Sequence, residues 1–353
     1  MNIKPIIISL LLPMLSFASC THTEATGDKE DTAPVMIERE SFAKGADISW
    51  WTQMVSEGHE FYNSSGKKTS CTALMKEIGM NAVRLRVWVN PESGWNGKED
   101  VLRKAREAKE NGMDIMIDFH FSDTWADPGH QTPPAAWASF NVQQMSEAVH
   151  SHVIDILTTL KQNGIDVKWV QPGNELNSGM MWPLGKVEGQ NAGNFIRLFN
   201  AGSKAAREIY PGTTVILHLS NGHDTSMYRW FFDLMLAGNA EYDMIGMSLY
   251  PIWWENGGWN NWKTPINTCM ANIRDVVQRY GKPVMICETG GKVTEAEMSR
   301  QMLEYLLGEA RKIKECHGVF YWEPQSPDGY NGGYDMGAFE NGRPTVALDP
   351  FKQ

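Results

Sequence analysis

Two glutamates pose the chemical question. Glu175 ends the run Val167-Lys168-Trp169-Val170-Gln171-Pro172-Gly173-Asn174-Glu175, and Glu288 follows the apolar segment Pro283-Val284-Met285-Ile286-Cys287. A carboxylate is seldom set at the edge of an apolar core unless it is paired, bound to a metal or used in chemistry. Two carboxyls facing each other are what glycoside hydrolysis requires, one protonated to assist the leaving group and one ionised against the anomeric carbon. Taken singly, Glu175 is equally a helix cap or a rim ion pair. The ends of the other apolar runs break the tie: Asp47, Arg84 with Arg86, His120 with Asp123, Asn174 beside Glu175, His218, Tyr250, and Trp322 with Glu323. Capping accounts for one or two such residues but not for the whole ring. An arginine and a tyrosine hydroxyl beside one carboxyl would hold it ionised, while partial desolvation would raise the pKa of the other.

The elements that must position this ring are eight short apolar runs, at 43–48, 82–89, 113–119, 167–172, 214–219, 243–249, 283–287 and 318–322. Helical patterns separate them near 69–78, 98–111, 142–163, 192–209, 226–237, 265–280 and 294–314, two of them closed by the C-cap glycines Gly112 and Gly164. Eight strand–helix units without a linker predict an α/β chain folded as one (β/α)8 barrel over residues 41–353, with its chemistry at the C-terminal ends of the strands. A doubly wound open sheet would carry a glycine-rich phosphate turn after its first strand. Here that position reads Asp47-Ile48-Ser49-Trp50-Trp51.

Composition limits the partners. A net charge of −10 argues against nucleic acid and against an anionic membrane surface. The 14 tryptophans suit flat apolar faces such as sugar rings, and also ordinary cores. No HExxH and no clustered Cys/His pattern supports a metal, and no GxSxG elbow supports a nucleophilic serine. Asp328, Asn331 and Asp335 lie in a glycine-rich loop without EF-hand spacing and read as turn residues, so neither calcium nor any other cofactor is expected. Cys71, Cys269, Cys287 and Cys316 have no CxxC spacing. At the N-terminus, Lys4, the apolar residues 6–15 and Phe17-Ala18-Ser19-Cys20 read as a signal segment, 1–19, ending in a lipobox-like cysteine. Cys20 would be lipidated, and the acidic stretch 20–40 would tether the domain. Glu24, Asp28, Glu30 and Asp31 are compatible with a lipoprotein at the surface of a bacterial outer membrane. No repeat or coiled-coil pattern appears, so a monomer is expected.

Several motifs then resemble glycoside hydrolase family 53. They are Gly45-Ala46-Asp47-Ile48-Ser49, Arg84-Leu85-Arg86-Val87-Trp88-Val89-Asn90-Pro91, Asp118-Phe119-His120-Phe121-Ser122-Asp123-Thr124-Trp125-Ala126-Asp127-Pro128, Gln171-Pro172-Gly173-Asn174-Glu175, Gly246-Met247-Ser248-Leu249-Tyr250-Pro251, Cys287-Glu288-Thr289 and Tyr321-Trp322-Glu323-Pro324. The resemblance implies a retaining endo-β-1,4-galactanase of pectic galactan. Glu175 would be its acid/base, Glu288 its nucleophile and Asn174 a contact to the sugar 2-hydroxyl. It implies that Arg84 and Tyr250 orient Glu288, that Trp322 floors the subsite, and that His120 and Asp123 hold further hydroxyls. Asp47 and His218 would complete the binding ring, and Trp88, Trp125 and Trp182 are stacking candidates. The chain departs from the pattern at Leu249 and Pro172, and the short loop 289–294 lacks the Asp-rich calcium-binding stretch of bacterial relatives. The same carboxyl pair would also serve β-mannan or β-glucan. A non-catalytic glycan-binding lipoprotein would need neither glutamate.

Overall fold

Short apolar runs that finish in a polar residue become the staves of a closed barrel in the computed structural model, which describes residues 42–254 and 258–353. The strands are β1 (Ala43–Asp47), β2 (Ala82–Val87), β3 (Asp114–Phe119), β4 (Trp169–Gln171), β5 (Thr214–Leu219), β6 (Met244–Ser248), β7 (Val284–Thr289) and β8 (Cys316–Trp322). Each pairs in parallel with its neighbours in sequence, and β8 closes on β1 with Asp47 opposite Trp322. Among the described residues, seven helices of eight residues or more pack outside: α1 (Cys71–Ile78), α2 (Lys98–Glu110), α3 (Val142–Gln162), α4 (Gly193–Ile209), α5 (Thr225–Ala237), α6 (Lys263–Tyr280) and α7 (Ala296–Arg311). Their starts are set locally. Ser70 accepts the Ala73 N–H to cap α1, and Asn141 with Gln144 forms a reciprocal capping box on α3.

The strands alternate inward and outward with a period of two, so each contributes to stacked layers inside the barrel. The lowest layer is an apolar plug of Ala43, Ala82, Met116, Trp169, Ile216, Met244, Met285, Cys287 and Phe320. It is so tightly filled that a Cβ on Gly45 would stand 2.2 Å from the Phe320 ring. Two residues further along four of these strands come Arg84, Asp118, Gln171 and His218, all buried. The barrel is therefore apolar below and polar above. The larger hydrophobic core lies between the strands and the helices.

The expected (β/α)8 architecture and the eight strand positions are present, with three differences. β4 is only Trp169–Gln171, because Gly173 (φ 124°) turns the chain out of the sheet. After β8 an eighth α-helix is replaced by the 3-10 segment Val346–Lys352, which contains Pro350 and packs on α1 and α7. Three two-residue hairpins, such as Gly179–Met180 with Gly185–Lys186, ornament the loops. The described residues fall in one unit, Glu40–Gln353. The expected signal segment, tether and lipidated Cys20 lie outside them. Cys71, Cys269, Cys287 and Cys316 are buried free thiols. Among the described residues, no helix is long and apolar enough to cross a membrane.

Candidate active site

Arg84, on β2 directly above the plug, is the hub of the polar layer. Its Nη1 lies 2.8 Å from Glu288 and 2.9 Å from Asp47, and its Nη2 lies 2.9 Å from Asp118. Nη2 also donates to Asn174 Oδ1 at 2.8 Å and Nε to Gln171 Oε1 at 2.6 Å. One fully buried guanidinium thus holds three carboxylates and two amides in fixed positions, spreading its planar set of five N–H donors over them. Asp118 is locked further by His120, whose Nε2 lies 3.0 Å away. Burial alone would raise the Asp118 pKa, but Arg84 and His120 outweigh it and hold the carboxyl at about 2.

Glu288 reaches this layer through an irregularity. Cys287 belongs to the inner plug, so strict alternation would turn Glu288 outward. The registers of β7 slip against both neighbours: between Ile286 and Thr289 toward β8, and between Met247 and Ser248 toward β6, where Ser248 pairs with Glu288. A bulge of this kind re-aims a side chain. Two consecutive residues of β7 consequently serve the barrel interior. Glu288 accepts the Tyr250 hydroxyl at 2.9 Å besides its Arg84 contact.

Glu175 arrives differently. The tight turn through Gly173 leaves Glu175 itself at φ 47°, the left-handed region a non-glycine residue adopts only when its surroundings impose it. Its backbone N–H points to His218 Nδ1 at 3.4 Å, and the Ser248 hydroxyl donates to its carboxyl. His218 spans these groups, with Nε2 2.9 Å from Ser248 Oγ and Nδ1 3.1 Å from Asn174 Oδ1. Burial and the Arg84 charge keep His218 neutral.

The two glutamates titrate as a pair. Burial raises the pKa of Glu175, and the charge of Glu288 raises it further. Burial raises Glu288 as well, but Arg84 and the Tyr250 hydroxyl oppose that rise directly. The direct contacts of Arg84 and Tyr250 therefore favour the ionised form of Glu288, and Glu175 is the better holder of a shared proton. An open cavity of about 750 Å3, lined by Glu175, Tyr250, Asp127, Asn221, His223 and Trp253 among others, leads to it.

The remaining residues singled out from sequence divide. Trp88, Trp125 and Trp322 come together, Trp125 5.4 Å from Trp88 and 5.9 Å from Trp322 between ring centroids, around the buried Trp50. The Arg86 guanidinium lies 4.1 Å from the Trp125 ring centroid and 3.3 Å from Glu323. Asn174 uses Oδ1 for Arg84 and one amide proton for the Ala126 carbonyl, leaving its second amide proton. Both His120 nitrogens are engaged, by Asp118 and the Ala126 N–H. Each Asp123 oxygen accepts a backbone amide, from Asn90 or Ala135, which makes Asp123 a tie between two loops. Asp47 divides its oxygens between Arg84 and Ser49. Trp182 stands apart in the 179–186 hairpin that follows β4, its indole N–H bound to the Ser178 carbonyl and its ring under Lys186. Asp118, Gln171, Ser248, Trp253 and Trp254 were given no role from sequence. The period-two pattern carried a signal for two of them, since Asp118 lies two residues before His120 and Ser248 two before Tyr250. Among the described residues no three His, Cys, Asp or Glu side chains gather as a metal site.

Known proteins resemble this chain in sequence and fold. The family model described as Glycosyl hydrolase family 53 matches residues 43–341. The arabinogalactan endo-beta-1,4-galactanase A of Aspergillus niger is 28% identical over 345 residues, covering 91% of this chain and 90% of its own. A probable arabinogalactan endo-beta-1,4-galactanase A of Aspergillus fumigatus is 33% identical over 253 residues, 70% of this chain and 68% of its own. Among solved structures, one from a study of two fungal beta-1,4-galactanases superposes with a TM-score of 0.80 at 27% identity, over 88% of this chain and 98% of that one. The GH53 catalytic domain of Ignisphaera aggregans gives 0.78 at 26% identity, over 90% and 98%. The match begins at the first residue of β1 and runs past the end of β8, and on that span the chain belongs to glycosyl hydrolase family 53.

Proposed function

We propose that this chain is an endo-β-1,4-galactanase that hydrolyses the galactan side chains of pectin with retention of configuration. The carrying observation is the asymmetry between the two glutamates: Arg84 and Tyr250 converge on Glu288, while Glu175 keeps the proton. Glu288, ionised, attacks the anomeric carbon as Glu175 protonates the departing glycosidic oxygen, giving a glycosyl ester on Glu288. Ester formation removes the Glu288 charge, which after burial is the largest cause that raises the Glu175 pKa. Glu175 thereby becomes a better base at the moment it must take a proton from water. Asn174 offers its free amide proton to the 2-hydroxyl of the sugar on Glu288, and Trp322 lies under that sugar with Trp88 and Trp125 beyond it. The galactan assignment rests on family membership and on the galactanase relatives.

Reducing-sugar release from purified galactan, mannan and soluble cellulose tests the substrate. Turnover of mannan or cellulose without galactan would sink it. Glu175→Gln and Glu288→Gln should each lower galactan turnover by at least about a thousandfold, in line with the loss of a general acid or a nucleophile. Unchanged turnover in both variants would remove the catalytic assignment. We also infer from the Phe17-Ala18-Ser19-Cys20 sequence that the enzyme is a lipid-anchored exported protein. Cys20→Ala should then move activity from the membrane fraction to the soluble one, and an unchanged distribution would refute the anchor.

A further inference from the structure

Glu175 belongs to no strand, and one peptide group sets its direction. The Asn174–Glu175 peptide is gripped from both sides. Its N–H points to His218 Nδ1 at 3.4 Å, and its carbonyl accepts a shorter bond, 2.9 Å, from Gln131 Nε2. Gln131 lies in the loop between β3 and α3 and is only 3% exposed. A side-chain amide has two protons to donate, and Gln131 commits both. The second goes to the Asp127 carbonyl at 3.1 Å. Asp127 shares the wall of the open cavity with Glu175. The Gln131 carbonyl in turn accepts the Trp182 N–H at 2.7 Å, so the 179–186 hairpin hangs on the same residue.

Regular pairing cannot hold the backbone here. β4 ends at Gln171, and Gly173 has already turned the chain out of the sheet. Glu175 stands at φ 47°, a conformation that persists in a non-glycine residue only where the surroundings over-determine it. The Asn174 side chain is spent on Arg84 and the Ala126 carbonyl. That leaves the plane of the 174–175 peptide to Gln131 and His218, and a rotation of this plane would swing the Glu175 carboxyl. A purely structural role is the competing account, since a buried carbonyl needs a partner in any fold. The choice of carbonyls argues for more. Gln131 joins the peptide that carries Glu175 to Asp127, whose charge is among the causes that raise the Glu175 pKa.

We propose that Gln131 is a positioning residue for acid catalysis: by holding the Asn174 carbonyl it aims Glu175 at the oxygen of the departing group. The proposal rests on the reading of Glu175 as the acid.

Two aryl glycosides separate aiming of the acid from support of the fold. Phenyl and 2,4-dinitrophenyl β-galactobioside put the same kind of ring on the leaving-group side. Phenolate leaves poorly without a proton, whereas dinitrophenolate departs unaided, so only the first depends on a well-aimed acid. Gln131→Met and Gln131→Leu both remove the donor and keep apolar bulk, so a folding defect in one leaves the other to be measured. Each should lower kcat/KM on the phenyl glycoside and on galactan about ten- to a hundredfold, the scale of a group misplaced by about 1 Å. The dinitrophenyl glycoside should stay within about threefold of wild type. Glu175→Gln should show the same pattern with a larger loss on the phenyl glycoside. Equal falls on the two aryl substrates would assign Gln131 to the fold and overturn the proposal, as would no fall on either. A Glu175→Gln that does not tell the two aryl groups apart would fail the acid reading and this inference with it. A Glu175→Gln that does, beside Gln131 variants that do not, would fail Gln131 alone.

Discussion

Tyr250→Phe isolates one hydrogen bond whose loss should move the pH profile in one direction. The substitution removes the hydroxyl that donates to Glu288 Oε2 at 2.9 Å and keeps the ring that packs on Trp253 at 4.6 Å. A hydrogen bond to a charged group is worth about 1.5–3 kcal/mol, and 1.36 kcal/mol is one pKa unit, so the carboxyl should rise by about 1–2 units. Arg84 remains 2.8 Å away, which places the shift toward the lower end. The direction follows from the charge state. The hydroxyl favours ionised Glu288, so without it Glu288 holds a proton to higher pH. With Glu288 as the proposed nucleophile, the acid limb of kcat/KM reports its ionisation in the free enzyme and should move up by that amount. At a pH on the wild-type acid limb the variant should be about ten- to a hundredfold slower, while at the plateau the loss is smaller. Steady-state kinetics on galactan across the acidic and neutral range measures this. An acid limb that stays in place would mean that Tyr250 does not keep Glu288 ionised. A shift confined to the alkaline limb would mean that Tyr250 acts on the proton donor, and the two glutamates would have to exchange roles.

Ser248→Ala removes the hydroxyl that stabilises ionised Glu175. The alkaline limb of the same profile should therefore move up, by about half to one unit at the scale of a single hydrogen bond; a downward shift would contradict the bond as drawn. His152, set edge-on to Phe119, Phe121 and Trp137, has its pKa lowered to about 4, by burial first and by Lys98 to a smaller extent. The fold holds it neutral, whereas an unfolded chain binds a proton below about pH 6.5. Its contribution is thus complete above that pH and declines toward pH 4, by at most about 3 kcal/mol. His152→Leu should flatten this part of the stability–pH curve measured by chemical denaturation, and an equally steep acid loss in the variant would point to other groups.

Much of the barrel was legible because its strands announce themselves by composition. β5 was read to the residue, and the other runs were placed within a few. The departures have local causes. Gly173 (φ 124°) ends β4 early, and Pro350, which has no N–H to give an α-helix, sits within the 3-10 segment that stands where an eighth helix would be. The site was less legible than the fold. Scanning only the last polar residue of each run finds Arg84 and His120 but passes over Asp118, which sits one inward step lower and binds both. Composition announced many tryptophans without telling Trp50, buried in the aromatic cluster, from Trp253, 64% exposed at the cavity wall. That distinction is set by which loop each ring ends on, and loop position follows from contacts distant in sequence.

The position of Glu288 is the sharpest case. Alternation along β7 fills the inner plug with Met285 and Cys287, and would then send Glu288 out toward the helices. An outward carboxylate there would lie in the apolar core between strands and helices, unpaired and costly. Two things instead hold it inward: the slipped registers against β6 and β8, and the pull of Arg84 and Tyr250 from within. The bulge and the polar hub therefore depend on each other. Without the slip the carboxylate could not meet Arg84, and without Arg84 nothing would compensate an irregular strand in the middle of a barrel wall. A carboxylate that is reached only through a distortion is well fixed in place, because any relaxation of the strand toward regular pairing would break its ion pair.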